Sequence, residues 1–99
     1  RRAFLTAVDQ ATDQPLGHLN DISERGLRIL SEKPMEIGAR YDLRLELPYP
    51  IDGSEIIRVG VWCRWSLEGE APGIYYAGCE IQEISEADRK RLAVFLEGN

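Results

Sequence analysis

Apolar and polar side chains alternate with a period of two through most of the chain up to residue 81, in runs bounded by Gly, Pro, Asp or Asn. A period of two puts successive side chains on opposite faces of an extended backbone, so this pattern specifies half-buried strands and not amphipathic helices. The runs are 4–8, 16–21, 26–30, 40–47, 55–65 and 74–81. In the fourth, Leu43, Leu45 and Leu47 share one face while Asp42, Arg44 and Glu46 share the other, which predicts that the leucines face the core. In the fifth, strict alternation groups Ile57, Val59, Val61, Cys63 and Trp65 against Ile56, Arg58, Trp62 and Arg64. Trp65 is therefore expected inside and Trp62 outside. Turn residues mark the joins at Asp13-Gln14-Pro15, at Pro34 and Gly38, at 48–53 and at 69–73. The period then changes. Ser85 suits a helix N-cap, Glu86 and Asp88 put negative charge in a first turn, and Leu92, Phe95 and Leu96 recur at helical spacing before Gly98. The expected fold is all-β, a six-stranded antiparallel barrel with one C-terminal α-helix packed on its open end or side.

A chain of 99 residues has material for one core, so 1–99 is read as a single domain, and its 43% of hydrophobic residues can form that core without a metal or a disulfide. Seventeen acidic residues against twelve basic ones leave a net charge of -5, which argues against general binding to nucleic acid or to an anionic membrane. An anionic ligand would need a local basic patch. No apolar run approaches the ~20 residues of a membrane span and no signal peptide opens the chain, so no membrane insertion and a cytoplasmic location are expected. Because residue 1 is Arg and not Met, the chain is expected either to have lost residues upstream or to have been cut from a longer protein.

Enzymatic chemistry finds little support. Cys63 and Cys79 form no C-x-x-C pair, His18 is the single histidine, and no G-x-S-x-G elbow occurs, so neither a zinc motif nor a catalytic triad can be written. The cysteines fall on apolar faces and read as small core residues, and His18 reads as an exposed strand residue. Trp62, Tyr49, Tyr75 and Tyr76 either pack between strands or form an interaction surface. The run Arg89-Lys90-Arg91 reads as the solvated face of the helix.

The segment Asp21-Ile22-Ser23-Glu24-Arg25-Gly26 joins the second run to the third. Asp21 and Ser23, two residues apart, point a carboxylate and a hydroxyl the same way, while Gly26 lets the backbone turn with positive φ and come close to a bound group. From these six residues alone, a turn in which both side chains satisfy local N–H groups is the simpler account. Arg1, Arg2, Arg25 and Arg28 gather around the segment and supply a local basic patch, with a solvated strand end as an equal account of the last two.

The context of that segment carries a resemblance. It is followed by Gly26-Leu27-Arg28-Ile29-Leu30, Ile37-Gly38, Leu43-Arg44-Leu45-Glu46-Leu47-Pro48, Val61-Trp62-Cys63 and Tyr76-Ala77-Gly78-Cys79-Glu80-Ile81. In that order and spacing the chain resembles the PilZ domain family over nearly its whole length. The resemblance implies a non-enzymatic barrel that binds the bacterial second messenger cyclic di-GMP. The family's contacts come from an R-x-x-x-R motif and a [D/N]-x-S-x-x-G motif roughly twenty to thirty residues later. The second motif is intact as Asp21, Ser23 and Gly26. The first is not, since Leu5 and Thr6 stand four residues beyond Arg1 and Arg2. The resemblance thus assigns the ligand to Arg1, Arg2, Asp21, Ser23 and Gly26, with no metal or other cofactor. It also implies a protein partner or attached effector domain that receives the signal. Arginine suits the role because its fork matches phosphate and the guanine O6/N7 edge bidentately and stacks on base faces. Family members without the arginine motif work through protein contacts, so a nucleotide-free adaptor module is the second reading.

Overall fold

The structure, a computed structural model, describes residues 5–98. Arg1 and Arg2 from the basic patch, and Phe4 at the start of the first expected strand, lie outside the described residues. The strands are β1 (Thr6–Asp9), β2 (Gln14–Ile22), β3 (Gly26–Ser31), β4 (Arg40–Ile51), β5 (Ser54–Glu68) and β6 (Tyr75–Ile84), followed by the helix α1 (Glu86–Gly98). All pairings are antiparallel, and the strands close a barrel in the order β1-β2-β3-β6-β5-β4. Closure removes the sheet edges that would otherwise offer unpaired N–H and C=O groups.

The alternation locates the core. Leu43, Leu45 and Leu47 point inward from β4, as do Ile57, Val59, Val61 and Cys63 from β5 and Ala77 and Cys79 from β6, all in one cluster with Leu19, Ile22, Leu27 and Ile29. Leu92 and Phe95 of α1 join the same cluster, so the helix packs its apolar stripe against the barrel on the β4 and β5 side. Ser85 caps it, its Oγ accepting from the Asp88 N–H at 3.1 Å.

Three expectations need correction. Trp65 is not in the core: the β5–β6 register shifts between Cys63 and Trp65, inserting Arg64 as an extra residue and turning Trp65 outward, where it is 38% exposed. Both tryptophans therefore face outward. Arg91 is not solvated; it is half-buried and donates to the carbonyls of Ile51 and Asp52, at 3.0 Å each, and to the Asp88 carboxylate at 2.9 Å. It latches the helix to the β4–β5 hairpin, while Arg89 and Lys90 remain exposed. Third, β4 does not stop at Leu47 but runs extended through Pro48-Tyr49-Pro50 to Ile51, with a register irregularity between Glu46 and Ile51 where the prolines have no N–H to donate. Asp52 and Gly53, at φ of 49° and 81°, then make the tight two-residue turn into β5.

Leu45 is fully buried between strands β1 and β5. Leu45→Asp places a carboxylate there without a partner, and a chain with no cooperative thermal transition by circular dichroism is expected. A soluble variant melting cooperatively near the wild-type temperature would contradict the burial of this face.

Candidate functional site

The β2–β3 turn is built by Ser23. Its N–H donates to the Gly26 carbonyl at 2.9 Å, and its hydroxyl oxygen accepts from the N–H groups of Arg25 and Gly26 at 3.3 Å each. The local-turn account of the hydroxyl is therefore the one its geometry shows: Ser23 shapes the loop, and its exposed side chain borders what lies beside it. Asp21 likewise serves its neighbour, accepting from the Ile22 N–H at 3.0 Å.

Gly26 departs from the expected role. Its φ is not among the positive values, which fall at Gly38, Gly53 and Gly73 among the glycines described. What excludes a side chain is β6: a Cβ at Gly26 would lie 2.6 Å from the Cys79 carbonyl oxygen. The glycine allows β3 to start hard against β6, a close approach and not a left-handed turn.

Two bulges orient the remaining residues. In β2 the register with β3 passes from Leu19↔Ile29 to Asp21↔Arg28, so Asn20 is the extra residue. Without it Asp21 would alternate inward and Ile22 outward; with it Ile22 is buried and Asp21 stays partly exposed beside Arg28. The second bulge, at Arg64, turns Trp65 to the same outer surface. The ladder pairs Asp21 with Arg28, Arg28 with Gly78 and Gly78 with Trp65, one row across β2, β3, β6 and β5. Gly78 has no side chain because the Trp65 indole occupies the space where one would stand. The ring lies against bare backbone.

This row floors a surface depression of about 360 Å³ lined by Asp21, Ser23, Gly26 and the arginines Arg25, Arg28 and Arg64, with Trp65 and Glu80 completing it. Three guanidinium groups face two carboxylates here, a positive excess in a chain of net charge -5. Arg28 donates to the Asn20 side-chain oxygen at 3.3 Å, and Arg64 pairs with Glu80 while its guanidinium sits 4.6 Å from the centroid of the Trp62 ring. Ion pairs as exposed as Arg64–Glu80 contribute little to stability, so Arg64 can exchange partners at low cost. Asp21, Ser23 and Gly26 are thus brought together with Arg25 and Arg28. Arg64, Trp65 and Gly78 were not foreseen from the sequence; their place depends on a bulge and a cross-strand pairing. Among the described residues no group of three His, Cys, Asp or Glu could hold a metal ion, and no helix is long and apolar enough to cross a membrane.

Beneath the depression Cys63 and Cys79 face each other across β5 and β6, both free and buried. Burial pushes the Cys79 thiol from 9.0 up to about 12, with the neighbouring Cys63 adding to the rise, and burial raises Cys63 as well. The folded state therefore holds the Cys79 proton at a pH where the unfolded chain releases it. The resulting stability is fully present below about pH 9 and is lost as pH rises towards about 12. In urea titrations the advantage of wild type over Cys79→Ala should shrink steadily above about pH 9. A constant difference up to pH 10.5 would contradict the burial of this thiol.

A family model described as PilZ domain matches residues 4–98. Among solved structures, the Bacillus subtilis Inhibitor of motility (MotI/DgrA) aligns with a TM-score of 0.77 at 18% identity, covering 96% of this chain and 46% of that one. The chain thus spans less than half the length of that protein, and at this identity the likeness speaks for the fold alone. A search of curated proteins finds no match. The closed six-stranded barrel with its C-terminal helix and the family match over nearly the whole length lead to one assignment: the chain belongs to the PilZ domain family, a family of cyclic di-GMP receptors.

Proposed function

We propose that this chain is a non-enzymatic cyclic di-GMP receptor domain, with the nucleotide seated in the depression beside Asp21. The observation that carries this reading is the convergence of a carboxylate, three arginines and a flat indole on one surface. Each matches a part of the ligand. A carboxylate accepts from guanine N1–H and its 2-amino group together, guanidinium groups pair with phosphate oxygens or the O6/N7 edge, and an indole face stacks on a purine. Ser23 holds the loop that borders the site, and Gly26 keeps that loop close to β6. Arg1 and Arg2 are assigned the remaining phosphate contacts on the family's pattern. Contacts from Arg1 and Arg2 would couple occupancy to an attached domain or partner.

The carboxylate also sets base selectivity. Adenine presents an acceptor at N1 and lacks the 2-amino group, so cyclic di-AMP would leave the Asp21 carboxylate facing an acceptor. Calorimetric titration with cyclic di-GMP, using the domain with its native upstream residues, is expected to give a Kd below ~100 μM, weakening with added salt. Asp21→Ala and the Arg1→Ala, Arg2→Ala double variant should each weaken it at least about tenfold, and cyclic di-AMP should not bind measurably. Absence of heat with cyclic di-GMP at ~100 μM would end the receptor reading in favour of a nucleotide-free adaptor.

A further inference from the structure

A second row crosses the same four strands next to the first. His18 pairs with Leu30, Leu30 with Tyr76 and Tyr76 with Leu67. All four residues stand on the outside of the barrel. Leu67 is 64% exposed, the most exposed of the large hydrophobic residues described, and Leu30 and Tyr76 are half-exposed. At a strand spacing of about 4.8 Å the row is ~14 Å long, enough for about ten residues of helix laid along it.

The row is also concave. Two depressions of about 570 and 730 Å³ flank it and meet at Ile74, the first bordered by Leu16, His18 and Leu30, the second by Trp65, Leu67 and Tyr76. Trp65 and Arg28 border both the second depression and the nucleotide site, so groove and site share a wall. Among the described residues nothing covers this apolar strip: α1 packs on β4 and β5, with its buried side chains in the barrel core.

The charges at its rim identify the occupant. Glu32 stands at one depression and Glu68 and Glu70 at the other, all three exposed and without an ion-pair partner among the described residues, against Lys33 at the first and Arg28 at the second, so the rim keeps an acidic excess. A second copy seated face to face would bring the same acidic excess against this one, because a two-fold interface uses the same patch on both sides. Like charges in that arrangement repel. A segment with apolar side chains flanked by lysine or arginine satisfies both strip and rim.

We propose that the outer face of β2, β3, β6 and β5 along His18, Leu30, Tyr76 and Leu67 docks a cationic amphipathic segment of a partner protein. This surface does not depend on nucleotide binding. The probe is a synthetic amphipathic helix of about 14 leucine and lysine residues, titrated into the isotope-labelled domain and followed by NMR chemical-shift changes. The largest shifts are expected at Leu30, Leu67 and Tyr76. Leu67→Ser, and separately Glu68→Lys with Glu70→Lys, should each weaken binding at least about fivefold, and the same peptide with glutamate for lysine should not bind. Leu67 is exposed enough that its replacement should leave the melting temperature unchanged, which distinguishes lost docking from lost folding. Shifts spread over the whole acidic surface, or affinity indifferent to Leu67→Ser, would overturn the proposal. So would sedimentation showing a dimer that Leu67→Ser dissociates, since the occupant would then be a second copy.

Discussion

Two extra residues, Asn20 in β2 and Arg64 in β5, set the geometry on which the candidate site depends. A strand alternates without choice, and a residue two places from a core position must itself face the core unless the chain inserts a step. Leu19 and Ile22 are both buried in β2 although three positions apart, and the bulge between them leaves Asp21 outside. In β5 the same device keeps Cys63 inside and moves Trp65 out. Without either insertion a carboxylate or an indole would be driven into the barrel.

The floor between them has a complementary requirement. β6 must present backbone without side chain where the indole rests, and β3 must begin close enough to β6 for the loop after Asp21 to overhang the same surface. Gly78 meets the first condition and Gly26 the second. The glycine of the D-x-S-x-x-G segment thus acts through strand packing, and the serine through turn hydrogen bonds. Of the three residues that define the motif, Asp21 alone stands in the ladder row that runs to Trp65. This division separates the motif's roles: two of its members hold the loop and the third is left facing the depression.

Much of this is legible in the sequence itself. Period-two alternation located the six strands and the inward leucines of β4, and Ser85, Glu86 and Asp88 announced the helix. Trp65 was misassigned because alternation assumes an uninterrupted pleat, and a bulge is decided by the partner strand, here by Gly78 opposite. Arg91 read as solvated because its acceptors, the carbonyls of Ile51 and Asp52, lie some forty positions away in sequence. Pro48-Tyr49-Pro50 read as a loop because proline cannot donate to a ladder, yet the backbone there is extended and merely unpaired. Long-range partners, and not local propensity, decide each of these cases.

In the proposed complex the ligand's base lies on Trp65 beside Asp21. In Trp62→Phe, where Trp65 is the one remaining tryptophan, titration with cyclic di-GMP reads that contact through indole fluorescence. Stacking predicts saturable quenching of Trp65 emission that tracks calorimetric occupancy and disappears when Asp21→Ala is added. Calorimetric saturation with Trp65 emission unchanged would place the nucleotide elsewhere and contradict the account.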